Sequence, residues 1–464
     1  MNAYTLTPDD LLFFRDARPI ESAGGHGARW PEPSVVFDAI HAALWRAFPD
    51  AAQPMPWEHA HRFGRSSQRD MTRDRTQRFG SLATAGLFPV VNDEHWLFPA
   101  PADVTPDLEA DRWLLAPALH PGANPSANLP KPLLYPVANL SKPSKESVAP
   151  WWASNAWNSY LNGQKPSAQD MRRQRDLFED EWTTGIGIDP DKGTQDGERI
   201  YSAQYLRLRP EVRCGFVGSL DMKQNGDSTH RHDGLKDLFA SHSTIIVGGQ
   251  QRFCKVAPFG SGTIPLPIGR VEGFESSKLA GHKGFMVKWV LLTPAIWPLI
   301  DGNAEKGIQQ HPGGWLPNWI SQDTGRVLLK HRSGTVRRVW DERRGRTIRV
   351  ADSSSDIAAT LVAAVVPKPV PITGWTERLH LLRDEHHWAK DGPAHGPRTT
   401  HLAVPAGAVF YFVAKDASHL ASVLNWHGLD TAPTKIRNRR STLMGEKGFG
   451  LGVCGTWTPA EIKG

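Results

Sequence analysis

Between Gly445 and Gly455 the chain reads G-E-K-G-F-G-L-G-V-C-G, five glycines around Lys447 and Phe449, shortly after the basic run Lys435, Arg437, Arg439 and Arg440. Glycine has no Cβ, so a loop built on Gly448 and Gly450 can take left-handed conformations and bring its N–H groups close to a ligand, while the basic side chains supply charge. Phe449 adds a face on which a base can stack. The chemistry this composition suits is the holding of a polyphosphate backbone. Gly450, Gly452 and Gly455 also fall at G-x-G-x-x-G spacing, but nine residues follow Gly455, Pro459 among them. That leaves no room for the helix and the distant acid of a dinucleotide fold. The plainer alternative is a glycine turn before a last strand at Leu451 to Trp457. The neighbouring basic run favours nucleic acid.

A second arrangement of the same kind lies upstream, where a β-branched strand, Ser243 to Val247, runs into Gly248, Gly249, Gln250, Gln251 and Arg252. A third glycine loop, Gly24, Gly25, His26 and Gly27, follows Arg15 and Arg18. Metal-free RNA cleavage would need a general base near pH 7, and His26, His230, His232, His386 and His387 are candidates. Nineteen histidines make chance pairs expected, however, and each of these has an ordinary explanation as a loop residue. The H-R-H-D run at 230–233 lacks partners for a metal set, and no Walker A lysine, H-E-x-x-H or G-x-S-x-G occurs. No catalytic residue, metal or cofactor is expected.

The elements that would position these loops are mostly short. A strand over residues 3–14 is followed by a helix that Ser34 can cap, with Val36, Ile40, Ala43, Leu44 and Ala47 as its apolar stripe. Residues 61–79 form a polar, arginine-rich loop, strands are predicted at 82–91 and 96–99, and the Pro-rich stretch over 99–150 reads as an insertion. Residues 165–182 have helical composition, and 201–209 with 212–217 read as a strand pair. A short helix near 235–240 and a strand at 253–257 complete the first half. The second half opens on an apolar strand, 285–292, and carries a basic hairpin over 326–350, strands at 360–366 and 408–413, and a helix at 417–426. Two halves that each begin with an apolar strand and each hold a glycine loop beside basic residues suggest a duplicated α+β unit, divided near 260–284.

At 464 residues two domains are expected, and 37 prolines with 42 glycines point to many loops. The net charge of +6 is modest, so clustering of basic residues matters more than their total. Three cysteines, Cys214, Cys254 and Cys454, make neither a metal knuckle nor an even disulfide set and read as reduced thiols. No basic and apolar leader opens the sequence and no run of 18 apolar residues occurs, which points to the cytoplasm and away from membranes.

With these features in place, an ordered set of segments resembles the RAMP superfamily of CRISPR proteins, and within it the third-subunit family of the Cmr, or type III-B, effector complex. The segments are L-F-F-R-D-A-R-P-I at 12–20 with the P-E-P-S helix start, F-G-S-L at 79–82, G-I-G-I-D-P at 185–190 and G-G-Q-Q-R at 248–252. They continue with L-L-T-P-A at 291–295, G-W-L-P at 314–317, A-V-P-A-G-A-V at 403–409 and G-F-G-L-G at 448–452. The resemblance implies an α+β fold of two ferredoxin-like, RRM-related domains with long loop insertions, residues 1–270 and 280–464. It implies a non-catalytic subunit that binds the 5′ repeat-derived handle of CRISPR RNA. The implied protein partners are the large polymerase/cyclase-like subunit and the backbone subunits, with target RNA met indirectly. The expected RNA contacts are Arg15, Arg18, His26, Gly248, Gly249, Gln250, Arg252, Lys435, Arg437, Arg439, Arg440, Lys447, Gly448, Phe449 and Gly450. Two alternatives stay open: a RAMP endoribonuclease that processes precursor RNA with His26 or His230 as base, and a general RRM-like RNA-binding or RNA-modifying protein. No family role carries over to the insertion.

Overall fold

The computed structural model describes residues 1–15, 24–25, 30–48, 79, 81–108, 113–119, 129–138, 146–188, 191–192, 195–224, 227–260, 263–279, 281–303, 305, 309–341, 346–373, 375–377, 395–397 and 400–461. They form a mixed α/β fold rich in strands. In the first half, β1 (Asn2–Pro8) alternates so that Tyr4 and Leu6 face one side and Ala3 the other. Helix α1 (Pro33–Ala47) buries the expected stripe of Val36, Ile40, Ala43 and Leu44. It starts earlier than a Ser34 cap would set it. Glu32 holds the N-cap position without a side-chain bond, and Pro33 takes the first helical position, where a missing N–H does no harm.

Strands β2 (Ala83–Val91) and β3 (His95–Pro99) pair near the predicted limits, and β4 (Trp151–Ala153), helix α2 (Ser154–Leu161) and β5 (Met171–Arg172) follow. Residues 165–182 are not a helix: two 3₁₀ turns, Ala168–Asp170 and Gln174–Asp176, lead into β6 (Phe178–Ile188). Helical composition is overridden there by a long antiparallel ladder between β6 and β7 (Gln195–Leu208). For the same reason β7 does not pair with β8 (Val212–Ser219), which instead lies between β1 and β2. Helix α3 (Gly234–Ser241), capped by Asp233, then leads to β9 (Thr244–Ile246) and β10 (Phe253–Phe259). Among the described residues these strands give one eight-stranded sheet, β9-β10-β1-β8-β2-β3-β4-β5. Within it the set β1, β2, β8 and β10, with α1 and α3 in its connections, stands in the order fourth, first, third, second.

The second half repeats that order. Strand β11 (Glu275–Ser276) and the strand over Gly452–Thr456 share one edge of β12 (Phe285–Leu291), and a two-stranded ribbon follows from β13 (Lys330–Asp341) and β14 (Arg346–Asp356). Then come β15 (Ala359–Val365), β16 (Val409–Ala414), helix α4 (Ala417–Leu424) and β17 (Gly452–Thr456). The sheet runs β17-β12-β16-β15, again fourth, first, third, second. Between β12 and β15 the described residues hold the ribbon and irregular chain where the first half has a helix.

The period of two sorts each sheet's faces. Leu87 and Val91 of β2 pack under α1, whereas Ala85, Phe88 and Val90 join Met286, Val290, Val409, Tyr411 and Val413 from the second sheet in one core. Trp289, Leu291, Phe410 and Phe412 point the other way, under α4. The two sheets therefore face each other across a shared core that Trp157 and Tyr160 of α2 enter, with α1, α3 and α4 on the outer faces. The Pro-rich insertion closes this sandwich: Ala102 N–H donates to the Gly407 carbonyl, Leu134 and Tyr135 to that of Val362, and Ala116–Leu119 pairs with Ala460–Glu461. Its Asp103, fully buried, accepts from Tyr160 (2.7 Å) and Tyr411 (2.9 Å) and lies 3.6 Å from the Lys288 ammonium. No helix among the described residues is long and apolar enough to cross a membrane.

Candidate nucleic-acid interface

The turn after β9 is open to solvent. Gly248 (φ +75°) is left-handed, and a Cβ there would come within 2.5 Å of the Phe13 carbonyl, so glycine is required for the turn to lie against residues 11–15. Gly249 N–H donates to that carbonyl at 2.9 Å. Gln250 and Gln251 are also left-handed and exposed. The Gln250 Oε1 accepts from the Tyr205 hydroxyl at 2.5 Å and from the Arg252 guanidinium at 3.3 Å, and Arg252 lies 4.8 Å above the Tyr205 ring. Phe13 packs on the same ring, and Arg15 is exposed just beyond it. Asp10 is shared by Arg252 (3.9 Å) and Arg207 (3.7 Å), and Arg207 also bonds Glu181 at 2.6 Å. A cation on an aromatic face, an exposed backbone turn and a further arginine thus share one surface. Tyr205, Phe13 and Arg207 were not anticipated; the alternation of β7, which puts Ala203 and Tyr205 on one face, was the available signal.

The C-terminal glycine loop has its contacts inside the protein. Gly445–Lys447 makes a 3₁₀ turn between left-handed Met444 and Gly448. Lys447 is 8% exposed and its ammonium sits 2.7 Å from Asp38 on α1; Phe449 is fully buried with Ile296, Ile372 and Ala403. Gly448, at φ +90°, lies against Thr84 and Ala85 of β2, and left-handed Gly450 lies against Arg440 and Ser441. Glu446 is buried as well, which pushes its carboxyl up to about 8 despite Lys447 and Arg439 nearby, and burial brings Arg439 down to about 10. Of the basic run, Lys435 and Arg437 are exposed, Arg437 lying 3.5 Å from Asp430, while Arg440 bonds the Val423 carbonyl and Asn438. The loop's glycines are used to bring the last segment against the first sheet.

Arg18, His26, His386 and His387 lie outside the described residues, as does the His230 side chain. His232 bonds Asp237 at 2.7 Å, and His331 stacks on His419 with ring centroids 4.0 Å apart. Cys214, Cys254 and Cys454 are free and buried. Among the described residues no group of three or more His, Cys, Asp or Glu side chains could hold a metal.

The family model described as "CRISPR-associated protein (Cas_Cmr3)" matches residues 4–457. No curated protein matches the chain. Among solved structures it is similar to a chain of the type III-B Cmr-beta complex bound to cognate target RNA and AMPPnP, at 12% identity and TM-score 0.35, covering 88% of this chain and 86% of that one. The same complex bound to cognate target RNA gives 11% and 0.34 over 88% and 86%. A chain of the Csm3–Csm4 subcomplex of the type III-A interference complex gives 10% and 0.34 over 88% and 92%.

Proposed function

Because the chain belongs to the CRISPR-associated Cas_Cmr3 family, we propose that it is a CRISPR-RNA-holding subunit of a type III-B interference complex, without catalysis of its own. The observation that carries this reading is the open turn at Gly248–Arg252. Arg252, held over the buried Tyr205 ring, the exposed Gln250 and Gln251 and the neighbouring Arg15 offer charge, polar side chains and an accessible backbone together. Those are the requirements of a single RNA strand, and none of them is a proton-transfer group. The strand order fourth, first, third, second in both halves supports two ferredoxin-like domains, residues 1–270 and 280–464. By the family resemblance, the bound segment is the 5′ repeat-derived handle, and the protein neighbours are the large polymerase/cyclase-like subunit and the backbone subunits, assembled in the cytoplasm. Lys435 and Arg437 are exposed cations on the second half, Arg437 lying 3.5 Å from Asp430.

The test is copurification with the native partners and sequencing of the bound RNA. A uniform repeat-derived 5′ end is expected; a random RNA population overturns the reading. On isolated single-stranded RNA, log K should fall with log salt by about 0.7 per phosphate contacted, and Arg15→Gln and Arg252→Gln should each flatten the slope by about that amount. Metal-free cutting of repeat RNA at one site, lost roughly a hundredfold in His26→Ala or His230→Ala, would establish the endoribonuclease instead.

A further inference from the structure

Gln250 stands in the turn between β9 and β10, exposed and left-handed, and its side chain is anchored through one atom. That atom is Oε1, which accepts from the Tyr205 hydroxyl at 2.5 Å and from Arg252 Nη2 at 3.3 Å. A guanidinium can only donate, so the amide oxygen and not the amide nitrogen must face it. Turning the amide over would set its NH2 group against Arg252, donor against donor. Arg252 is itself held, 4.8 Å over the Tyr205 ring and 3.9 Å from Asp10, and Tyr205 is buried with Phe13 packed on its ring. The two lone pairs of the Gln250 oxygen are therefore both taken. Among the described residues nothing accepts from its Nε2. Gln250 thus offers a ligand two N–H donors and no free acceptor.

We infer that Gln250 is a specificity-determining residue of the RNA site, a donor-only reader that selects a base with a keto oxygen, uracil O4 or guanine O6, over one with an amine in that place. The inference rests on the RNA-holding reading of this turn and adds a reason for the surface to prefer one base to another. A glutamine free to turn presents oxygen or nitrogen with equal ease, and can pair with adenine through both. The anchored amide cannot, because its oxygen is in use. An exocyclic amine brought to its Nε2 meets donor with donor and leaves polar groups unpaired on both sides. Gln251 is equally exposed but has no such anchor among the described residues, so its amide supplies none of this selectivity. Arg15 and Arg252 meet phosphate, which is the same at every nucleotide.

The probes are fluorescein-labelled oligouridylate and oligocytidylate of equal length, titrated with the full chain at neutral pH and several salt concentrations. The parent should bind oligouridylate about fivefold tighter, the effect of one neutral hydrogen bond. Gln250→Glu keeps an oxygen for Tyr205 and Arg252 and replaces the outward donor by an acceptor. The preference should then turn toward oligocytidylate, whatever the added charge does to both affinities. Gln250→Met has neither donor nor acceptor of that kind; it should bind the two probes equally and keep the parent's salt slope, since no phosphate contact is lost. Position 250 is exposed, so both variants should unfold at the parent's temperature, and a changed ratio then reports recognition and not folding. If the parent binds with a steep salt slope but shows no preference or prefers oligocytidylate, Gln250 is not a keto reader, although the RNA-holding reading stands. A uridylate preference that survives unchanged in both variants likewise overturns the inference and leaves that reading in place. A parent chain with no salt-dependent RNA binding removes both.

Discussion

Substituting Gly448 by alanine should destabilise the protein in the absence of any RNA. Two separable effects act at this position. Its φ of +90° is left-handed, which costs a residue with a Cβ about 1–2 kcal/mol. The added Cβ would also lie 2.6 Å from the Thr84 carbonyl oxygen and 2.8 Å from the Ala85 Cα, both backbone atoms of a central strand that no rotamer change can move. Overpacking of that kind costs about 1–3 kcal/mol, so the sum is about 2–5 kcal/mol. Two glycines isolate the components. Gly260, at φ +58° with nothing within 4 Å of its Cβ position, should show only the conformational cost on change to alanine. Gly445 has no positive φ, and its Cβ would meet Arg439 Cβ at an ordinary 3.4 Å, so Gly445→Ala should stay within about 0.5 kcal/mol of the parent. Urea midpoints with tryptophan fluorescence give the ranking, and hydrogen exchange at the β2 amides shows whether loosening begins at the contact. Equal stability of Gly448→Ala and Gly445→Ala would refute the packing argument. Loss of RNA binding in Gly448→Ala with unchanged stability would return the loop to the role of a phosphate cradle.

Two buried charges give further tests. Burial raises the Glu446 carboxyl from 4.5 to about 8, so between those pH values the folded state holds a proton that the unfolded state has released. This group's contribution is therefore fully present below pH 4.5 and is lost as pH rises toward 8, at up to about 1.4 kcal/mol per pH unit. Glu446→Gln mimics the neutral acid and should flatten stability across that window; denaturation curves at pH 5 and pH 8 with the parent's slope would contradict the assignment. Asp103→Asn leaves the Lys288 ammonium buried without its counter-charge and should cost about 3–5 kcal/mol at neutral pH. Burial already lowers Lys288 to about 8, so the cost should shrink as pH rises and the lysine loses its proton; a deficit independent of pH between 7 and 10 argues against charge as its cause.

Local signals were legible wherever one face decided the element. The stripe of α1, the apolar strands β2, β12 and β16 and the helix α4 lie close to where their periodicity puts them, and the hairpin expected over 326–350 from its basic residues is a ribbon over 330–356. What failed was partner choice. Residues 165–182 look helical, and β7 and β8 look like a hairpin, because each reading sees only neighbours in sequence. The observed pairings of β6 with β7 and of β8 with β1 and β2 satisfy backbone groups supplied from elsewhere in the chain. The buried polar cluster was invisible for the same reason: Asp103, Tyr160, Lys288 and Tyr411 come from four separate segments, and nothing in any one of them marks its residue as buried.

The two glycine loops show what sequence can and cannot say about a site. Both pair glycine with basic residues, and in both the glycines take left-handed conformations at a close approach. In each case the approached group is the chain's own backbone, Phe13 for Gly248 and Thr84 for Gly448. The difference in exposure follows from the residues between the glycines and beyond them. Phe449 and Leu451 alternate with Gly448, Gly450 and Gly452, and apolar side chains so placed draw the loop into the core, carrying Lys447 to Asp38. Gln250 and Gln251 offer no such burial, so the upstream turn stays at the surface with its arginines. Composition alone ranks the C-terminal loop first, since it has more glycine and more nearby charge. The polarity of the interleaved residues reverses that order, and it is the upstream turn that stays at the surface.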